Sequence, residues 1–210
     1  MNLVLATSIN SMNSINSIGP ANSTDPYERH HPNERHHPND TRRRRRRTNA
    51  CSLVTNSDLI TLHVLDADNL IGDPTTEDPD WVRLVQRFYV EVTGFESGPH
   101  TRMVLGTGCN GSHVLVVQST WSGPARFVRR PGPDGADFAL IEAIDEEIST
   151  GRIGRVFIGS GDGRFADPVR ALVREGVPVT VVSRPGALSY DLRRAARGNV
   201  LYVPDLTRGV

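Results

Sequence analysis

Asp162 stands in the run Arg155 to Pro168, R-V-F-I-G-S-G-D-G-R-F-A-D-P. An apolar stretch, Val156 to Ile158, meets Gly159, Ser160, Gly161 and Asp162, and a helical pattern follows with Phe165, Val169, Leu172 and Val173. That is a strand, a tight turn and a helix. Ligands of open α/β sheets bind outside the carboxyl ends of the strands, and the three glycines keep side-chain bulk away from the carboxylate. Asp162 is therefore expected at the mouth of a cleft, as an acid that meets a ligand; the alternative is an N-cap for the helix. Two other stretches place acids in comparable positions. Asp66-Ala67-Asp68-Asn69 closes the apolar run Ile60 to Leu65, and three polar groups at a strand end are costly to bury unless they bind a ligand or each other. Asp137 shares a helical face with Ile141, Ile144 and Ile148, so it points towards the sheet edge. Complementing the helix dipole is its alternative role.

The elements that must hold these acids alternate along the chain. Ile60 to Leu65 reads as a strand covered on both faces, with His63 a hydrogen-bonded core histidine rather than a ligand. Trp81, Leu84, Val85 and Phe88 mark a helix facing the sheet. Gly94 to Gly111 reads as a glycine-rich loop with a short extended piece at Met103 to Leu105, Val114 to Gln118 as the second clear strand, and Arg126 to Val128 as a possible third. The turn Arg130 to Asp137 leads into a helix over Phe138 to Ile148, Val177 to Val182 is another buried strand, Leu188, Leu192 and Ala195 mark a helix, and Val200 to Val203 is a last short strand. Strands alternating with helices predict an α/β fold, a Rossmann-like three-layer sandwich with a mainly parallel sheet.

A length of 210 residues suits one domain with a tail, or two small domains, and composition points to the first. Residues 1–57 are rich in Asn, Ser, His and Arg, repeat E-R-H-H-P-N in tandem between Glu28 and Asn39, and then carry six arginines, Arg42 to Arg47. Such sequence cannot bury enough apolar surface to offset its ordering entropy, so the tail is expected to be disordered, and 58–210 to be the folded domain. The zero net charge hides an asymmetry: eight arginines and four acids to residue 57 leave sixteen arginines and twenty acids beyond it. The tail is a candidate electrostatic arm for nucleic acid, with a solvated segment lacking a specific partner as the alternative. Lysine is absent throughout, which points to a general bias towards arginine. Cys51 and Cys109 have neither metal-ligand nor disulfide-framework spacing. Leu3 to Ala6 is too short for a secretory apolar region, and no stretch approaches a membrane span, so a soluble cytoplasmic protein is expected.

In order and spacing, D-A-D-N (Asp66 to Asn69), G-A-D-F-A-L (Gly135 to Leu140), G-S-G-D-G-R-F (Gly159 to Phe165) and L-S-Y-D-L-R-R-A-A (Leu188 to Ala196) resemble the NYN family of PIN-like nucleases over about 60 to 203. The resemblance implies a ribonuclease that cleaves RNA phosphodiester bonds with magnesium or manganese. It assigns Asp66, Asn69, Asp137 and Asp162 to catalysis, Asp66, Asp68, Asp137 and Asp162 to the metal, and Ser160 and Ser189 to the substrate; Arg164, whose guanidinium suits phosphate geometry, is a further candidate substrate contact. Clustered carboxylates repel one another unless a cation neutralises them, and hard oxygen donors suit these two ions. The chain departs from the family pattern at Arg164 and Arg197, where the family carries acids. A catalytically weakened domain that binds RNA is therefore the competing expectation. A nucleotide site at Gly159 to Gly163 ranks below both, because the loop lacks G-x-G-x-x-G spacing. Oligomeric state and RNA sequence preference are not legible.

Overall fold

A computed structural model describes residues 58–108 and 111–204. The tail, both cysteines and the last six residues lie outside the described residues.

Six strands form one sheet. They are β1 (Ile60–Asp66), β2 (Thr101–Gly106), β3 (Arg126–Val128), β4 (Ile153–Gly159), β5 (Val179–Ser183) and β6 (Val200–Tyr202). Their order is β3-β2-β1-β4-β5-β6, and every pair is parallel. The sheet is the middle of three layers. On one face Leu62, Val64, Val104, Val156 and Ile158 pack under α4 (Gly135–Ser149), α5 (Ala166–Arg174) and α6 (Tyr190–Ala195). On the other, Leu65, Leu105, Phe157 and Val182 pack under α1 (Ala67–Ile71), α2 (Pro79–Thr93) and α3 (Gly111–Thr120). Burial on both faces explains why β1 and β4 carry near-continuous apolar runs.

Two expectations are corrected. Val114 to Gln118 lies in helix α3, not a strand: His113, Val114 and Val117 are buried while Leu115 is exposed, the spacing of a helical face. A five-residue apolar run is compatible with either state. Packing on α2 selects the helix. The second strand is instead T-R-M-V-L-G, built on the short extended piece expected at Met103 to Leu105 within the loop, and β2 lies directly beside β1, with Asp66 opposite Gly106. The α2 stripe is centred on Val82, Val85 and Tyr89, with Trp81, Leu84 and Phe88 on its flanks.

His63 is a core histidine. Its ring stacks on Phe157 at 4.6 Å and its Nδ1 meets the Tyr89 hydroxyl at 2.8 Å. Burial pushes its pKa down to about 4.

Candidate functional site

Register places the carboxyl ends of β1, β2 and β4 side by side: Asp66 faces Gly106, and Leu65 faces Gly159. In this strand order the connections diverge between β1 and β4, and the crevice there is where open α/β sheets bind ligands. Two hydrogen bonds tie the two turns together, and one more braces each turn from within. Asp66 caps α1 by accepting from the Asn69 amide at 3.1 Å, and its other oxygen accepts from the Ser160 hydroxyl at 3.1 Å. Asn69 Oδ1 accepts from the Gly161 amide at 2.8 Å, and the Asp162 amide donates to Ser160 Oγ at 3.1 Å.

Asp162 then accepts from the Arg164 amide at 2.9 Å, so it caps the 3-10 turn Gly163–Phe165 and also lines the cleft. A capping role and a place at the cleft are therefore compatible for this residue, although the turn it caps precedes α5, whose own N-cap is Phe165. Asp137 occupies the first turn of α4 on the face that buries Ile144, and it reaches the same cleft. The cleft has a volume of about 560 Å³ and is lined by Asp66, Asp68, Asn69, Asp134, Asp137 and Asp162 together with small residues of the 132–136 turn. Acids far apart in sequence thus meet at one sheet edge.

The electrostatics follow from this crowding. Burial, reinforced by the nearby Asp137 and Asp68 charges, pushes Asp66 up to about 7 against the hydrogen bonds from Asn69 and Ser160. Burial also raises Asp137, opposed by a 3.1 Å hydrogen bond from Arg164 Nη1. The same Nη1 pairs with Asp134, so one guanidinium bridges two acids, and both pairs hold Arg164 more firmly protonated. Asp68 is fully engaged. One oxygen meets the Thr107 hydroxyl and His113 Nε2, each at 2.9 Å, and the other accepts from the Gly108 amide at 2.7 Å. The second ring nitrogen of His113 meets the Thr76 carbonyl at 2.7 Å.

The donor set is all oxygen, as magnesium or manganese prefers, but its placement does not fit either ion. Among the described residues no group of three or more His, Cys, Asp or Glu is arranged to share a metal. The geometry gives the reason: Asp68 is bound to the β2–α3 loop, Asp162 caps a turn, and Asp137 faces a guanidinium that already supplies positive charge.

Ser160 is fully buried and its hydroxyl is used between Asp66 and Asp162. Ser189 caps α6 by accepting from the Leu192 amide, and its own amide donates to Gly161 O at 2.8 Å, outside the cleft lining. Arg164 reaches the cleft acids. Arg197 does not: it lies just beyond α6, in a groove against α5. Residues that sequence reasoning missed are Asp134, His113, Thr107 and Arg184, whose Nε donates to Asn69 O at 2.7 Å. Asp134 carried one usable signal, its i, i+3 spacing to Asp137.

Opposite titrations flank β1. Between about pH 4 and 6.5 the unfolded chain binds a proton at His63 that the native protein refuses, so this residue makes stability rise with pH. Between about pH 4 and 7 native Asp66 keeps a proton that the unfolded chain releases, so this residue makes stability fall with pH. At full extent these amount to roughly 3 kcal/mol for His63 and roughly 4 kcal/mol for Asp66, and they offset one another in part. Relative to wild type, Asp66→Asn is expected to gain urea stability as pH rises from 4.5 to 6.5, and His63→Phe to lose it. Parallel pH profiles for all three proteins would contradict the assigned shifts.

No protein-family model matches the chain, and no curated protein matches it. Among solved structures it is similar to a protein of unknown function from Vibrio parahaemolyticus RIMD 2210633, with 18% identity over 72% of this chain and 96% of that one, at a TM-score of 0.45. Among the described residues no helix is long and apolar enough to cross a membrane.

Proposed function

We propose that this chain is a cytoplasmic RNA-binding domain of the NYN kind in which the cleavage site is weakened. Support comes from the motifs that carry the resemblance: three of the four stretches contribute acids to the same cleft at the diverging strand ends. The observation that carries the weakening is the Arg164 guanidinium between Asp134 and Asp137. A fixed monovalent cation offsets the carboxylates without offering an open coordination position for water, whereas metal-assisted hydrolysis needs one. Guanidinium also matches phosphate geometry, and the Arg164 side chain is 42% exposed.

A second reading, a magnesium- or manganese-dependent ribonuclease, is favoured by one specific feature. Asp66 is held near neutrality by burial and by its acidic neighbours, a repulsion that a divalent ion relieves. This reading requires Arg164 to leave both of its acids.

Fluorescence anisotropy with labelled single-stranded RNA tests the choice. Binding is expected to persist in EDTA, with no cleavage on adding magnesium or manganese and no saturable manganese uptake by calorimetry. Rapid manganese-dependent cleavage by the wild type would establish the second reading, and failure to bind RNA at low salt would remove both. Deleting residues 1–57 is expected to lower the salt slope by roughly 4, the contribution of six arginines on a single strand, while the domain retains measurable binding. Complete loss on deletion would assign RNA binding to the tail alone.

A further inference from the structure

We propose that the groove between α5 and α6 is a track for the phosphate backbone of single-stranded RNA. The inference rests on the RNA-binding reading and locates a contact surface for it outside the acidic cleft. That cleft repels phosphate unless its charge is offset, so backbone contacts must be supplied elsewhere.

The groove has a volume of about 600 Å³ and is lined by Arg170, Arg174, Arg194 and Arg197, with Asp167 and Asp191 in the first turns of the two helices. Arg170 pairs with Asp167 at 2.5 Å. Arg174, Arg194 and Arg197 make no ion pair among the described residues: Arg174 donates to a backbone carbonyl, and Arg194 lies over the Tyr190 ring. Favourable interaction with the helix dipoles accounts for cations in the last turns. It does not account for their spacing. Arg170 with Arg174 is an i, i+4 like-charge pair, an arrangement that destabilises a helix.

Backbone conformation adds an independent observation. Arg197 sits at a φ of 53°, a left-handed conformation that glycine or asparagine adopts at lower cost. Tyr190 adds a third. It is 72% exposed at the start of α6, with the Arg194 guanidinium 5.5 Å from its ring centre. An exposed aromatic ring among unpaired arginines is the chemistry of single-strand binding, with bases stacked on the ring and phosphates on the cations. An acidic polypeptide would use the arginines but gain little from the ring. Helix α6, one wall of the groove, is tied to the turn that carries Asp162, because its cap Ser189 donates its amide to Gly161 O.

The test uses the full chain and a labelled single-stranded RNA of mixed sequence, with affinity measured against salt concentration. The triple variant Arg174→Gln, Arg194→Gln, Arg197→Asn is expected to lower the slope by about 2, at about 0.7 per phosphate contact. Removing three arginines elsewhere, by Arg83→Gln, Arg126→Gln and Arg152→Gln, is expected to leave it near the wild-type value. Tyr190→Ala is expected to weaken binding at least about fivefold with little change in slope, and Tyr190→Phe to retain affinity. Arg174→Lys with Arg194→Lys keeps the charge and is expected to keep the slope, which separates charge from any effect on folding. An unchanged slope in the triple variant, or an equal loss in the control, overturns the groove while leaving RNA binding intact. Absence of RNA binding by the wild type overturns both. Displacement by poly-glutamate as effective as by unlabelled RNA, with Tyr190→Ala neutral, assigns the groove to acidic polypeptides and also overturns the proposal.

Discussion

Arg164→Asp is expected to bind manganese roughly tenfold or more tightly than the wild type, and to gain manganese-dependent cleavage of single-stranded RNA. The substitution removes the guanidinium that bridges Asp134 and Asp137 and adds a carboxylate in the first turn after Asp162. Arg164 is more than a third exposed, so solvent screens part of the change; tenfold is the scale left after that discount. Without metal the variant leaves Asp137 without its cationic partner among acids. Its pKa, already raised by burial, should rise further, and the protein should melt at lower temperature in EDTA than in manganese. Calorimetric titration and melting with and without the ion provide the readings. If the wild type already cleaves well and Arg164→Asp slows it, Arg164 is a phosphate-binding catalytic residue and the weakened-site reading is wrong.

Gly135→Ala should be the most damaging single-methyl change in the domain. A Cβ at this position would lie 1.9 Å from the Arg130 carbonyl oxygen and 2.7 Å from its carbon. The obstacle is backbone, so no side chain can rotate away. Relief requires moving the first turn of α4, which carries Asp137 into the cleft. Overpacking on this scale costs about 3 kcal/mol, which corresponds to a fall of roughly 6 to 12 °C in melting temperature for a chain of this size. Gly98→Ala, with nothing within 4 Å of its Cβ, provides the neutral comparison. Equal melting temperatures for the two variants would show that the turn yields more readily than its geometry indicates.

The parts of the fold legible in advance are those where burial on both faces demands an unbroken apolar run. Ile60 to Leu65 and Val156 to Ile158 meet that demand, and they are the two central strands. Strand-end logic was also sufficient to bring Asp66, Asp137 and Asp162 to one edge, since each follows a strand or opens a helix in a parallel series. Legibility failed between residues 94 and 120. Met103 to Leu105 is too short to stand out from a glycine-rich surround, and Val114 to Gln118 has no helical stripe of its own, because its buried positions depend on what α2 presents. The electrostatics of the cleft were only half legible. Arg164 was placed near Asp162 by spacing, but its actual partners come from a turn where Asp134 adopts a left-handed conformation, φ 59°. The capture of Asp68 by Thr107, Gly108 and His113 depends on the end of β2, of which the sequence announced only a short extended piece.

The strand order also has a consequence for how the chain folds. β1 is made first but is completed late: it sits in the middle of the sheet, and Asp66 meets Ser160 across 94 residues. Long-range parallel pairing of this kind closes a large loop before it yields contacts, and raises the barrier to folding. Until β4 has been synthesised, β1 has a bare, apolar edge on the side away from β2, where another chain can pair. The bonds from Ser160 to Asp66 and from Gly161 to Asn69 join the two halves of the sheet at the cleft. The cleft therefore exists only once both halves have docked, so an intact cleft is itself a marker of completed folding.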